Sequence, residues 1–185
     1  VAEGDDFWSC YANYGYRQRA KKFSSNNLSV SAAFCAFKRT LVERVGGFYA
    51  GYKHYGFEDR DFLSAIVSTD NVVFKFLDEV SAVHDLGDNL VMLEAKMKVS
   101  GRYTSKIYKS RFFNRYKKMN YWRFDASEHG RLYNLCLTIL FSPHGWPLWK
   151  SERLWLNQYI PKSIKIIMAK FYMAASFYEG ASLPS

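Results

Sequence analysis

Residues 45–61, VGGFYAGYKHYGFEDRD, decide the fold prediction for this chain. Two consecutive glycines end a short segment, residues 38–45, whose apolar positions are typical of a helix. Glu58, Asp59 and Asp61 then stand where a second helix would begin, ahead of apolar residues at helical spacing. Carboxylates in a first turn accept hydrogen bonds from free N–H groups and oppose the helix macrodipole. The stretch therefore predicts a helix, a loop rich in glycine and tyrosine, and another helix.

Apolar runs on both sides of this stretch predict short strands. Residues 28–37 come before it, and residues 72–77 and 79–83 follow it. The later two runs are rich in the β-branched and aromatic residues that strands favour. The last of them places His84, with Asp85 beside it, just past a strand end.

The loop and the residues around it have the chemistry of a binding site. Glycines let a ligand approach the backbone, and tyrosine rings offer flat faces to a sugar or a base. Glu58 and Asp59 are adjacent and point in different directions, so one carboxylate can take a proton from a hydroxyl nucleophile. His84 is a candidate ligand for a divalent cation. The alternative is that the acids only cap the helix and that the histidine is structural.

Taken in order, FKR at 37–39, GGF at 46–48, YGFEDRD at 55–61 and the later His84 resemble a known family. They are similar to the acceptor-side, C-terminal half of inverting GT-A glycosyltransferases, of the family 2 and galactosyltransferase C-terminal type. The resemblance implies an α/β fold, in which residues 1–85 form the C-terminal part of a GT-A, Rossmann-like domain. A mostly helical, basic extension is expected over residues 86–185.

The resemblance also implies roles for individual residues. Asp59 matches the general base that deprotonates the acceptor hydroxyl, Asp61 matches a residue that orients the loop, and His84 matches a ligand of Mn²⁺ or Mg²⁺. Contacts to the acceptor are implied for Glu58, Tyr55, Gly56, Phe57 and Gly47. The implied reaction is transfer of a sugar, with inversion, from a nucleotide-diphosphate donor, expected to be a UDP-sugar, to a glycan hydroxyl.

The partners follow from the same resemblance. The acceptor is expected to be a glycan or a glycolipid. The nucleotide-binding half of such enzymes, with its Asp-x-Asp motif, precedes this segment, and Asp5-Asp6 does not match it. The chain is therefore expected to be a processed or truncated piece of a longer enzyme, or to work with the nucleotide-binding half as a separate chain. Its oligomeric state stays open.

The basic charge lies entirely in the second half of the chain. Residues 1–85 hold 10 Lys/Arg and 11 Asp/Glu, whereas residues 86–185 hold 16 and 6, which gives net charges of −1 and +10. Residues 106–121 alternate basic and aromatic side chains. Three interpretations stay open: a helical cap with a solvated basic face, a module that docks on an anionic membrane, and a module that binds RNA. The last two make a non-catalytic docking protein the alternative to the enzyme, and nucleic acid is the least favoured partner.

Helices are predicted at residues 90–99, 132–141 and 160–178, and the second of these is expected to be buried. The stretch from 132 to 149 is interrupted by prolines and a glycine, so it is not predicted to span a membrane. Cys35 and Cys136 lie in apolar stretches, which favours buried free thiols and a reducing compartment. The expected location is the cytoplasm, and peripheral binding to the inner face of a membrane stays open.

Overall fold

A computed structural model describes residues 7–21, 35–69, 72, 73, 75, 77, 90–141 and 159–184. Three quarters of these residues are helical and none is in a strand. The helices are α1 (Phe7–Lys21), α2 (Arg39–Val45), α3 (Glu58–Thr69), α4 (Leu90–Val99), α5 (Ser105–Tyr116), α6 (Arg131–Leu140) and α7 (Lys162–Ser182). A π-helical turn, Ser100–Thr104, joins α4 to α5, and two 3₁₀ turns, Asn120–Phe124 and Ala126–Glu128, lie between α5 and α6.

The predicted α/β, Rossmann-like GT-A class is wrong for the described part of the chain. Residues 35–37 and the described positions of 72–77 form no strand, and residues 28–34 and 79–83 lie outside the described residues. A segment with strand-like composition forms a strand only when partner strands pair with it and one face is covered, which composition alone does not provide. Helices satisfy their backbone groups locally and need only one apolar face to pack, so they dominate the described structure.

Several helix predictions are confirmed. α2, α3, α4 and α7 lie within a few residues of the expected positions, and α3 begins at the acidic cluster. Gly101 does not end the helix that begins at Leu90, because the chain continues through the π-helical turn into α5. Residues 7–21 form α1, for which no helix was predicted.

The centre of the described fold is the crossing of α7 over α4 and the π-helical turn. Two glycines make this crossing close: a Cβ built on Gly180 would lie 2.1 Å from the carbonyl oxygen of Lys98. A Cβ on Gly101 would lie 2.2 Å from the carbonyl oxygen of Phe177. Backbone therefore packs on backbone here, and only glycine leaves the necessary space.

Two clusters of buried side chains flank this crossing. One contains Phe57, Tyr108, Tyr116, Phe177 and Ala181, and the other contains Leu90, Met168, Ala169 and Tyr172. The first cluster joins the loop before α3 to α5 and α7. The division into residues 1–85 and 86–185 stays a prediction, although this cluster draws residues from both sides of that boundary.

Two predictions of burial are wrong. In α6 only Leu137 is buried, and the free cysteines Cys35 and Cys136 are exposed. Among the described residues, α6 contacts α7 through Asn134 and Thr138, and the apolar residues on its other side are accessible. Among the helices described, none combines the length and the apolar character needed to cross a lipid bilayer.

Candidate functional site

The loop of the candidate site starts at the C-terminal end of α2. Gly46 and Gly47 have φ values of +76° and +78°, a region that glycine enters at little cost. The Gly47 N–H donates to the carbonyl of Val42 at 3.1 Å, and the Gly46 N–H donates to Glu43 at 3.3 Å. This pair of bonds is a Schellman motif, which caps the helix and turns the chain into the loop. The local role of Gly47 is thus to end α2.

The far end of the loop is a strained turn before α3. Gly56 has a φ of +109°, and Phe57 has a φ of +67°, which is uncommon for a residue with a side chain. The Tyr55 carbonyl accepts hydrogen bonds from Ser100 Oγ and Thr104 Oγ1, each at 3.3 Å. The Phe57 ring is buried in the cluster that also contains Tyr108, Tyr116 and Phe177. The turn is therefore held by side chains from the π-helical turn and α5, and it positions the start of α3.

Asp61 is the buried anchor of the loop. Its side chain is 1% exposed, and its Oδ2 accepts hydrogen bonds from the Tyr52 hydroxyl at 3.1 Å and from Arg111 Nε at 2.7 Å. Burial and the nearby Asp61 charge raise the pKa of Tyr52 above its usual range. The Arg111 guanidinium also lies 3.9 Å from the centre of the Tyr49 ring. Asp61 thus ties the loop, α3 and α5 together.

Replacing Asp61 by asparagine is expected to lower the free energy of unfolding by about 2 kcal/mol, because it leaves the Arg111 charge without its anion. Arg111 is partly exposed, so water compensates part of that loss. Chemical denaturation measures the change. The matched control is Glu43→Gln, which removes the anion of an exposed Arg39–Glu43 pair and should cost less than about 0.5 kcal/mol. Equal effects of the two substitutions would contradict the anchoring role.

Glu58 and Asp59 occupy the first turn of α3 and are both partly buried. Glu58 Oε2 is a buried oxygen with no hydrogen-bond partner among the described residues. Although Cys35 is exposed by surface area, neighbouring atoms shield its thiol in part from water, which raises the pKa of the thiol, and the nearby charge of Asp59 raises it further. The structure thus brings Glu58, Asp59 and Asp61 together with the loop that contains Gly47, Tyr55, Gly56 and Phe57.

The sequence did not single out Arg111, Tyr52 or the residues that hold the Tyr55 carbonyl. Arg111 belongs to the basic and aromatic alternation of residues 106–121, where nothing distinguishes it from its exposed neighbours. Arg60 also has a role that was not predicted: its guanidinium lies 5.5 Å from the Tyr121 ring centre and 6.0 Å from that of Phe57. The excess of aromatic residues near arginines was the available signal.

A cationic cleft of about 340 Å³ opens beside the same loop. Its lining residues are Gly51, Lys53, His54, Arg102, Tyr103, Lys106 and Ile107. The His54 ring stacks on Tyr103 with 4.4 Å between the ring centres. The lining contains three cations and no carboxylate, so the cleft attracts anionic groups.

The predicted metal ligand, His84, lies outside the described residues. Within the described ranges no group of three or more His, Cys, Asp or Glu side chains could hold a metal ion. Of the described acids of α3, Asp61 bonds to the loop and to α5, and the charge of Asp59 acts on the Cys35 thiol. Metal binding through His84 therefore stays a prediction.

Comparisons with known proteins bear on the family of the chain. The resemblance in residues 37–61 rests on short motifs, whose order is more informative than any one of them. No family model, no curated protein and no solved structure matches this chain.

Proposed function

We propose that this chain contributes the acceptor side of an inverting glycosyltransferase, with Asp59 as the general base. The observation that carries the proposal is the placement of Asp59 in the first turn of α3, between a glycine- and tyrosine-rich loop and the buried anchor Asp61. The order of motifs that resembles the family supports the same assignment. The proposal does not depend on a GT-A fold, which the described helices exclude for this part of the chain.

In the proposed reaction, the acceptor hydroxyl attacks the anomeric carbon of the donor. The new bond joins the acceptor oxygen to that carbon, and the bond from the carbon to the diphosphate oxygen breaks. Asp59 takes the hydroxyl proton, and the nucleoside diphosphate leaves with the bonding electrons. One base suffices for this displacement, whereas glycoside hydrolysis uses two carboxylates.

The neighbouring residues suit acceptor binding. Glu58 Oε2, which has no partner among the described residues, supplies an acceptor for a sugar hydroxyl. Tyr55 is 54% exposed, and Lys96 Nζ lies 5.1 Å from the centre of its ring, so a pyranose that packs there would contact an aromatic side chain beside a cation. The cationic cleft beside the loop suits a phosphorylated part of either substrate. Transfer assays on Asp59 variants of the complete protein test the base assignment.

The proposed cofactor is Mn²⁺ or Mg²⁺, which would neutralise charge on the leaving diphosphate, with His84 as one ligand. A His84→Ala protein is expected to bind Mn²⁺ more weakly by at least the roughly 10- to 100-fold that loss of an outer-shell partner costs, because it lacks one imidazole ligand. Isothermal titration with Mn²⁺ measures this without any turnover. The control is His129→Ala, because His129 Nε2 bonds to the Trp122 carbonyl instead. An unchanged Mn²⁺ affinity in His84→Ala would remove the ligand assignment.

A further inference from the structure

α6 is anchored to α7 by one face. The Tyr178 hydroxyl donates to the Asn134 carbonyl at 3.0 Å and lies 2.8 Å from Thr138 Oγ1. Phe141 directly follows α6, and the centre of its ring lies 5.3 Å from the centre of the Phe171 ring. Residues 134, 138 and 141 recur at helical spacing, so they define the face of α6 that packs on the protein.

The opposite face of α6 is apolar and exposed. Its leucines and isoleucine are Leu132 (76% exposed), Leu135 (55%), Ile139 (67%) and Leu140 (51%). These positions recur at i, i+3, i+7 and i+8, which places them on one stripe along the helix. Isolated exposed apolar residues are ordinary on protein surfaces, but a stripe of four large ones marks an interaction site.

The surroundings of the stripe are cationic. Arg131 is the first residue of α6, and the helix dipole disfavours positive charge at this N-terminal end. α6 contains no acidic residue that could neutralise it. Exposed Arg123 lies at the same end, since the Tyr133 hydroxyl donates to its carbonyl. The nearby carboxylate of Glu128 is engaged by Lys109 Nζ at 2.5 Å. An anionic surface would offset the unfavourable position of Arg131.

We propose that the α6 stripe, defined as Leu132, Leu135, Ile139 and Leu140, docks in the interface of an anionic lipid bilayer. An apolar helix face with flanking arginines is what such an interface binds, through buried apolar area and attraction to charged headgroups. A second copy of the chain is the disfavoured occupant, because each copy carries a net charge of +9. The proposal concerns where the protein binds and does not depend on the glycosyltransferase assignment.

The test is flotation of the full chain with two kinds of vesicle. One kind contains phosphatidylcholine alone, and the other contains phosphatidylcholine and phosphatidylglycerol in equal amounts. We expect binding to the anionic vesicles, weakened by added salt. The double variant Leu135→Ser/Ile139→Ser is expected to bind them about tenfold more weakly, because it loses apolar area without gaining charge. Both positions are exposed, so circular dichroism and the melting temperature should stay close to those of the parent protein.

The matched control is Val91→Ser on α4, since Val91 and Ile139 are both 67% exposed. It should bind as the parent protein does. Equal binding to neutral and anionic vesicles, or unchanged binding by the double variant, would overturn the proposal. A parent protein that is dimeric by light scattering without lipid, and a double variant that is monomeric, would assign the stripe to a second copy instead.

Discussion

An Asp59→Asn protein is expected to lose about 10²- to 10⁴-fold in kcat for sugar transfer, the range that general base catalysis contributes. Asparagine has nearly the same shape as aspartate but does not accept a proton at neutral pH. Asp59 is only partly buried, so the free energy of unfolding should change little. The measurement is transfer to a glycan acceptor by the full-length protein, with kcat and KM determined separately.

Two companion variants make the result specific. Glu58→Gln should raise the KM for the acceptor more than it lowers kcat, because Glu58 is assigned to binding. Glu43→Gln, on the exposed surface of α2, should leave both constants unchanged. If Asp59→Asn keeps near-normal turnover, Asp59 is not the base, and its place in the first turn of α3 is that of a helix-capping acid.

The second large effect is expected at the crossing of α7 and α4. Gly180→Ala should lower the free energy of unfolding by about 3 kcal/mol, because its methyl group would overlap the Lys98 carbonyl oxygen. A main-chain carbonyl within a helix cannot rotate away as a flexible side chain does, so the two helices must separate. Urea unfolding, followed by circular dichroism, measures the loss.

Gly130→Ala is the control for this substitution. Gly130 has a φ of −69°, and no atom lies within 4 Å of a Cβ built on it. The free energy of unfolding should fall by no more than about 1 kcal/mol, because alanine is a poorer helix N-cap than glycine but also lowers the conformational entropy of the unfolded chain. Similar losses for Gly130→Ala and Gly180→Ala would mean that α7 does not pack closely on α4.

The positions of most helices could be predicted from local signals. The two glycines end α2 through hydrogen bonds to its own last turn, and the acids of residues 58–61 begin α3. Such signals act within a few residues, so the sequence contains them in full. Strands are different because their stability comes from partners elsewhere in the chain, and the strand predictions failed wherever the described residues test them.

The candidate site was predictable as a set of residues but not as an arrangement. The motif order singled out Asp59, Glu58 and Asp61 without showing that Asp61 is buried under Arg111, which lies 50 positions further along the chain. Nor did the pattern of α6 show which of its faces is covered. An apolar periodicity says that a face can be buried, whereas burial itself depends on what packs there.

The sequence by itself determined where the helices around residues 45–61 begin and end, and which carboxylates stand together, because caps and turns are local chemistry. Only the tertiary structure decided that Asp61 anchors the loop to α5, that Gly101 and Gly180 bring two helices into backbone contact, and that the stripe of α6 faces outward. These features depend on pairs of residues far apart in the chain. Their energies arise from burial and contact, which no single segment contains.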